Sequence, residues 1–277
     1  MKRIQKYKLP LLLWLVFEAV AFTLWLSLNN MFYLFNFTYI GTAIAIGIAL
    51  YISGFKWARM AVQLAVGLYM LVYLGIISRE NMQLEGFWYY LFSGAFQAAV
   101  IHYLVAKIAG PLLFGRGWCG YACWTAMVLD FLPFKTPQNP RRKGVSLLRI
   151  LTFAVSLLYV VVLFSFFVDH LQNIIFISFL AGNVLYYAAG VALAFVCKDN
   201  RAFCKYLCPI TVFLKPASYF SLLRIKVDTA ACISCGKCKK VCPMEVDILD
   251  PSRRRKNGTE CILCFECKKA CPVKAIR

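Results

Sequence analysis

The chain has 277 residues, of which 61% are hydrophobic, and its mean hydropathy is +0.68. This composition excludes an ordinary soluble domain and favours a protein with several membrane spans. The formal net charge of +19 does not require a nucleic-acid partner, because Lys and Arg accumulate on the cytoplasmic side of membrane proteins. Thirteen cysteines in such a chain do not indicate a secreted disulfide framework, since their spacings are those of metal ligands.

Apolar runs close to the ~20 residues that a membrane-crossing helix needs predict about six transmembrane helices. No cleavable signal peptide is evident, because the first run is too long and no small-residue cleavage site follows it. The second run is rich in glycine, so a re-entrant or tilted segment is an alternative there. The spans are predicted at residues 9–29, 32–53, 60–78, 87–109, 145–168 and 174–196.

The basic residues predict the orientation of these spans. They gather in the N-terminal segment, in the second and fourth loops and in the C-terminal tail, whereas the other face carries Arg79 beside Glu80 and Glu85. The positive-inside rule therefore puts both termini and every cysteine-bearing segment on the cytoplasmic side. We expect a multi-pass protein of the bacterial inner membrane.

An internal repeat divides the membrane part. The segment Arg116-Gly-Trp-Cys-Gly-Tyr-Ala-Cys123 matches Arg201-Ala-Phe-Cys-Lys-Tyr-Leu-Cys208, 85 residues further on. Each copy follows an inward-running span, which predicts two helix-hairpin units related by a pseudo-twofold axis along the membrane normal. The predicted domains are two additional spans (1–59), membrane repeat 1 (60–144), membrane repeat 2 (145–223) and a ferredoxin domain (224–277).

The tail contains the motif C-x2-C-x2-C-x3-C-P twice, at residues 232–243 and 261–272. This is the bacterial two-cluster ferredoxin run, in which the fourth cysteine of each motif ligates the other cluster. A small α+β domain with two [4Fe–4S] clusters is therefore predicted, and eight cysteines with both C-P endings argue against the zinc alternative. The assigned ligands are Cys232, Cys235, Cys238 and Cys271 for cluster 1, and Cys261, Cys264, Cys267 and Cys242 for cluster 2.

Lysines flank these motifs, at positions 237, 239, 240, 268 and 269. They form either a solvated surface or a docking face for an acidic redox partner, because complementary charge speeds encounter.

Two further cysteine pairs, Cys119 with Cys123 and Cys204 with Cys208, have the i,i+4 spacing that shares one helix face. Pseudo-symmetry would bring the two pairs together at the cytoplasmic surface, where four thiolates could hold one more iron–sulfur centre. Copper binding, dithiol–disulfide exchange and buried free thiols are the alternatives. Cys197 has no partner at a matching spacing and is interpreted as an inert thiol.

Three polar residues in the predicted spans are candidates for a quinone region: Glu18 in the first span, and Gln97 and His102 in the fourth. Intramembrane ionisable groups are costly, so they suggest binding of a quinone head group or passage of its protons. The alternatives are a helix–helix hydrogen bond for Glu18 and a satisfied interfacial histidine for His102. No bis-histidine haem is expected, and no dinucleotide fingerprint indicates a flavin or nicotinamide.

From residue 60 onward the sequence resembles the NapH-type membrane ferredoxins, whose relatives include the polyferredoxin portion of NosR and the CcoG proteins. The motif Cys204-Lys-Tyr-Leu-Cys208-Pro209 fits the family pattern in full, whereas Trp124 follows Cys123 in place of proline. Family members commonly have four spans, so the first two spans here are an addition. The resemblance implies electron movement between membrane quinol and a partner oxidoreductase.

The resulting hypothesis is an integral-membrane iron–sulfur subunit that passes electrons, in a direction the sequence does not specify, between the quinone pool and a partner. A second hypothesis is a metal-handling or maturation protein that reduces copper through the Cys-x3-Cys pairs. A third is a membrane anchor whose clusters only dock a catalytic subunit.

The predicted orientation is open to a direct test. A reporter fused to the C-terminus of the chain should report from the cytoplasm, because the basic tail is expected to stay on that side. A fusion in the loop at 169–173 should report from the periplasm and serves as the control. A periplasmic signal from the C-terminal fusion would contradict the orientation.

Overall fold

A computed structural model describes residues 7–96, 98–142, 144–166, 170–250 and 254–276. In chain order the helices within these ranges are α1 (Lys8–Leu28), α2 (Met31–Ile52), α3 (Ala58–Ile77), α4 (Leu84–Phe92), α5 (Ala99–Phe114), α6 (Gly117–Tyr121), α7 (Trp124–Leu129), α8 (Val145–Phe166), α9 (Leu171–Cys197), α10 (Ala202–Tyr206), α11 (Thr211–Tyr219), α12 (Lys237–Lys240), α13 (Arg254–Gly258) and α14 (Glu266–Ala270). Among the described residues, the five helices α1, α2, α3, α8 and α9 are long and apolar enough to cross a membrane. The predicted fold class, a helical membrane protein with a ferredoxin tail, is confirmed.

The turn between α1 and α2 follows from two asparagines. Asn29 ends α1 in the left-handed conformation (φ 47°), which asparagine tolerates better than most residues. Asn30 then caps α2, because its side-chain oxygen accepts a hydrogen bond from the Phe32 amide at 2.9 Å. The two helices therefore pack as a hairpin, and Gly41 of α2 lies so close to Phe17 of α1 that a Cβ would come within 2.4 Å of the Phe17 Cβ.

The fourth predicted span, 87–109, differs from the structure. It is divided between α4 and α5, because Ser93 caps α4 and Gly94 adopts φ +67°, a left-handed conformation that ends the helix. The second piece, α5, then runs past residue 109 to Phe114. Apolar composition alone did not reveal this interruption.

The internal repeat has a structural counterpart in two short helices. Helix α6 follows α5, helix α10 follows α9, and the two occupy positions 85 residues apart, residue for residue. Both are buried, and each carries the first cysteine of its Cys-x3-Cys pair. The predicted domain limits stay a prediction.

The segment that leads into the ferredoxin tail is held against α5 by backbone pairing. The amides of Leu222 and Leu223 donate to the carbonyls of Leu112 and Leu113 at 2.9 and 2.7 Å. Within the described part of the tail, the β component of the predicted α+β domain is reduced to one antiparallel bridge between Val227 and Ile276. The tail is otherwise turns and the short helices α12, α13 and α14.

Candidate iron–sulfur centres

The structure brings together the predicted ligands of cluster 1. One cavity in the tail is lined by all four of them, three from the first motif and one from the second: Cys232, Cys235, Cys238 and Cys271. The chain wraps this cavity by means of Ser234 and Gly236, which both have positive φ (51° and 71°). Such left-handed residues turn backbone amides into concave sites that suit anions and iron–sulfur clusters.

The predicted ligands of cluster 2 are gathered in the same way. A neighbouring cavity is lined by Cys242, Cys261, Cys264 and Cys267, and it also touches Cys238 of the first set. Leu263 and Phe265 take the corresponding left-handed positions (φ 52° and 58°), although neither is glycine. That conformation costs roughly 1–2 kcal/mol for a residue with a Cβ, so the loop tolerates strain to keep its shape.

The two Cys-x3-Cys pairs also meet, as pseudo-symmetry predicted. Burial raises the pKa of Cys204 to about 11, and the thiolates of Cys119 and Cys123 in the other repeat add to the effect. Cys208 has a raised pKa because it is buried and because the other three thiols lie near it. Four thiols from two repeats thus share one site, which we call the junction site (Cys119, Cys123, Cys204 and Cys208).

The surroundings of the junction site fit an iron–sulfur cluster. Three buried N–H groups near the cysteines have no acceptor among the described residues: the Nε–H groups of Arg116 and Arg201 and the Nε1–H group of Trp118. Cluster sulfur is an acceptor for such donors, so the donor set suits a cluster.

Positive charge surrounds the same thiols. Arg201 is buried, with its Nη1 4.0 Å from Cys204 Sγ. Lys107 is also buried, and its ammonium interacts electrostatically with the thiols of Cys119, Cys123 and Cys208. Opposite charge at this range favours an anionic ligand set. An anionic thiolate-bound cluster is therefore better accommodated here than four neutral thiols.

The carbonyls of the first cysteine segment are held by two arginines. Arg201 donates to the Cys119 carbonyl at 3.1 Å, and Arg59 donates to the next carbonyl, that of Gly120, also at 3.1 Å. Both guanidinium groups share the carboxylate of Asp130, at 2.5 and 2.7 Å. Burial alone would raise the pKa of Asp130, but the two arginines lower it.

The second cysteine segment repeats this arrangement at the matching positions. Arg149 donates to the Cys204 carbonyl at 2.9 Å, and Arg141 donates to the Lys205 carbonyl at 3.5 Å. Their shared carboxylate is Glu260 of the ferredoxin tail, at 2.9 and 3.3 Å. The two repeats thus use the same pattern of arginine, carbonyl and carboxylate, although the second carboxylate comes from a different domain.

Glu260 also pairs with Arg116 of the first repeat and with Lys215 of α11, the latter at 2.8 Å. Burial works against ionisation, but Arg116 and Arg149 outweigh it and hold the pKa of Glu260 well below its usual range. Because Glu260 directly precedes Cys261, one carboxylate ties cluster 2 to both membrane repeats.

The junction site and cluster 2 belong to one packed apolar core. That core contains three junction cysteines, three cluster 2 cysteines and the residues between them: Cys119, Cys204, Cys208, Cys242, Cys261, Cys264, Phe203, Met244, Val246 and Ile262. Gly120 permits the close approach, since a Cβ there would lie 2.3 Å from the Ile262 carbonyl oxygen. The Tyr121 hydroxyl adds a hydrogen bond to the Leu263 carbonyl at 3.1 Å.

The candidate quinone residues have separate neighbours. Thr38 of α2 donates to the Glu18 carboxylate at 2.9 Å, so the helix–helix hydrogen bond considered for Glu18 is present. His102 is buried, and its ring centroid lies 5.2 Å from that of Trp118, next to the junction site. Gln97 lies outside the described residues. The assignment of these residues to quinone stays a prediction.

Sequence reasoning missed the acidic partners and most of the arginines around the cysteine segments. Arg116 and Arg201 belong to the repeated motif, whereas Arg59 and Arg141 entered only as basic residues that orient the spans. Asp130, Glu260 and Arg149 were given no role. One signal was available: Glu260 is an acidic residue beside a predicted cluster ligand, in a chain with only 12 Asp and Glu against 31 Lys and Arg.

Comparison with known proteins supports the iron–sulfur interpretation. A family model described as a 4Fe-4S dicluster domain matches residues 224–272, which contain both ferredoxin motifs. A second model, a 4Fe-4S binding domain, matches residues 98–135 and 174–228. These two segments contain the four cysteines of the junction site.

Relatives cover parts of the chain. It is 27% identical over 158 residues to an uncharacterized protein of Methanocaldococcus jannaschii, and the match spans 55% of this chain and 61% of that protein. A stretch of 49 residues is 37% identical to YccM of Escherichia coli, provisionally described as an electron transport protein, and covers 18% of this chain and 14% of that one. No solved structure matches the chain significantly.

Together with the five helices that are long and apolar enough to cross a membrane, these matches show an iron–sulfur protein with a helical membrane part. The narrower resemblance to the NapH type stays a prediction.

The ion-pair network predicts unequal effects of two similar substitutions in the tail. Glu260→Gln should lower the free energy of unfolding of the docked tail by about 3 kcal/mol, because buried guanidinium groups lose their carboxylate. Glu266→Gln is the matched control, since Glu266 is 42% exposed and pairs with Lys269 on the surface. Its effect should be below about 1 kcal/mol.

Urea titration followed by pulse proteolysis of the tail in detergent measures both variants. Equal stability of the two variants would contradict the central role of Glu260.

Proposed function

We propose that the protein is an electron-transfer subunit that passes electrons between the membrane quinone pool and a partner oxidoreductase. The observation that carries the proposal is the packed core shared by the junction site and cluster 2. It gives the membrane part and the ferredoxin tail a direct, water-poor connection through Cys119, Cys204 and Cys264.

In this proposal the twelve cysteines of the three sites are all ligands. Iron–sulfur clusters, when bound, supply the one-electron chemistry. The chain itself supplies the thiolates, excludes water from the junction site and holds the sites in register through the Asp130 and Glu260 networks. The match of a 4Fe-4S binding domain to both Cys-x3-Cys segments supports the use of the junction site for a cluster rather than for copper.

A lipid-soluble redox partner is supported by an apolar cavity of about 80 Å³ beside the junction site. Its walls come from α1 and α2, from the cysteine segment and from the cluster 2 loop, and include Leu13, Ile48, Trp118, Tyr121 and Leu263. The cavity is smaller than the roughly 300–1,000 Å³ of typical ligand pockets. A quinone ring therefore fits only if α1 moves away from the cysteine segment. The two additional spans, α1 and α2, would then form the wall through which a quinone enters.

The location and the partner are part of the same proposal. The positive-inside distribution supports a bacterial inner membrane with the clusters on the cytoplasmic side. Exposed lysines of the tail, such as Lys237, Lys240 and Lys268, support docking of an acidic oxidoreductase subunit.

Metal analysis tests the ligand assignment. Anaerobically purified protein should contain about twelve irons per chain, four for each cluster of four cysteine ligands. Cys204→Ser should lower this to about eight, and Cys197→Ser should leave it unchanged, because Cys197 contributes to no site. About eight irons in the unmodified protein would limit the clusters to the tail.

Electron exchange tests the function. Dithionite-reduced protein, freed of excess reductant, should be reoxidised by menaquinone or ubiquinone, and Cys204→Ser should slow this at least tenfold while Cys197→Ser does not. Fast exchange in Cys204→Ser would show that the tail works without the junction site, as a membrane anchor would. If Cu(II) but neither quinone reoxidises the clusters, the protein handles metal instead.

A further inference from the structure

A second cavity, of about 560 Å³, lies between the membrane part and the ferredoxin tail. Its volume falls within the range of small-molecule sites. One wall is formed by the loop before α3, by the loop after α7 and by the start of α10, and the other by the cluster 2 region of the tail. Cys264, a predicted cluster 2 ligand, lines it. We call this cavity the interdomain cleft.

The cleft is strongly cationic. Five basic side chains line it against two acidic ones, Asp130 and Glu266, which leaves an excess of three positive charges. The basic residues are Lys56, Arg59, Lys135, Arg201 and Lys269. A cleft with an excess of one sign of charge concentrates counter-ions, so this cleft favours an anion.

Two of the cations are uncommitted to carboxylates. Arg59 and Arg201 share Asp130, and Lys269 pairs with Glu266 at 2.9 Å. Lys135 lies 5.4 Å from the ring centroid of Trp57, a contact that leaves its charge unneutralised. Within the described residues, Lys56 has no carboxylate partner either. These two lysines therefore supply the attraction that the protein itself does not satisfy.

The position of the cleft suggests the kind of anion. Phe55 and Trp57, in the loop between α2 and α3, are 62% and 63% exposed. Exposed aromatic residues at the end of a span mark the interfacial layer of a membrane. Basic pockets between membrane helices at this level bind lipid phosphate groups, and soluble phosphates can reach the same site from water.

We propose that the interdomain cleft binds a phosphate group, from an anionic lipid headgroup or a soluble phosphate compound, through Lys56 and Lys135. An anion next to Cys264 disfavours the more negative, reduced form of a cluster. Occupancy would then lower the reduction potential of cluster 2. That consequence rests on the proposed function, whereas phosphate binding does not.

The test uses full-length, delipidated protein in detergent. The variant Lys56→Gln with Lys135→Gln is compared with a control of equal charge change, Lys226→Gln with Lys274→Gln, which alters exposed tail lysines outside the cleft and outside the lysines named for partner docking. Inorganic phosphate is titrated by calorimetry, and phosphatidylglycerol added to the detergent micelles is followed by native mass spectrometry. Unchanged iron content verifies that each variant is folded.

Wild type and control should bind at least one probe, and the cleft variant should bind it at least tenfold more weakly. Binding of phosphatidylglycerol alone identifies a lipid site, and binding of both probes identifies a phosphate site open to water. No binding of either probe by the wild type, or equal binding by all three proteins, would overturn the proposal. Intact phosphate binding in a protein that fails to exchange electrons with quinone would disprove the proposed function but not this site.

Discussion

Two carboxylates, that of the buried Asp130 and that of the largely buried Glu260, allow this basic chain to gather its arginines around the cysteine segments. Asp130 and Glu260 each pair with at least two guanidinium groups, and four of those groups hold the carbonyls of Cys119, Gly120, Cys204 and Lys205. A guanidinium buried without a partner carries a large desolvation cost, and several together repel one another. The arrangement of the four junction thiols therefore depends on two acidic residues that bind no metal.

The same carboxylates connect local geometry to electron transfer. Glu260 is bonded through the chain to Cys261 and through ion pairs to both repeats, so it sets the position of cluster 2 relative to the junction site. Gly120 of the first cysteine segment also packs directly against the Ile262 backbone of the cluster 2 loop. A ligand site built from several elements needs its residues held in place by supporting contacts, and here the supports are ion pairs and one glycine.

What the sequence could predict depended on the range of the interactions. The cysteine ligands repeat at short fixed spacings, and the junction pairs recur at a constant offset, so both could be recognised. Asp130 and Glu260 were missed because their partners lie in other elements and no spacing links them. The fourth span looked continuous because its composition is apolar, whereas the break depends on the conformation of Gly94. The bridge between Val227 and Ile276 joins the two ends of the tail. No local sequence pattern predicts it, because its two residues are far apart in the chain.

The hydrogen bonds and ion pairs that connect the two membrane repeats have a consequence for how the chain can be divided. Arg201 of the second repeat donates to the Cys119 carbonyl of the first repeat. Arg116 of the first repeat pairs with Glu260, which also pairs with Arg149. Arg149 in turn donates to the Cys204 carbonyl. Either half expressed alone would keep unsatisfied cations and half a ligand set. The two repeats therefore depend on each other's side chains, and they must be expressed and engineered as one piece.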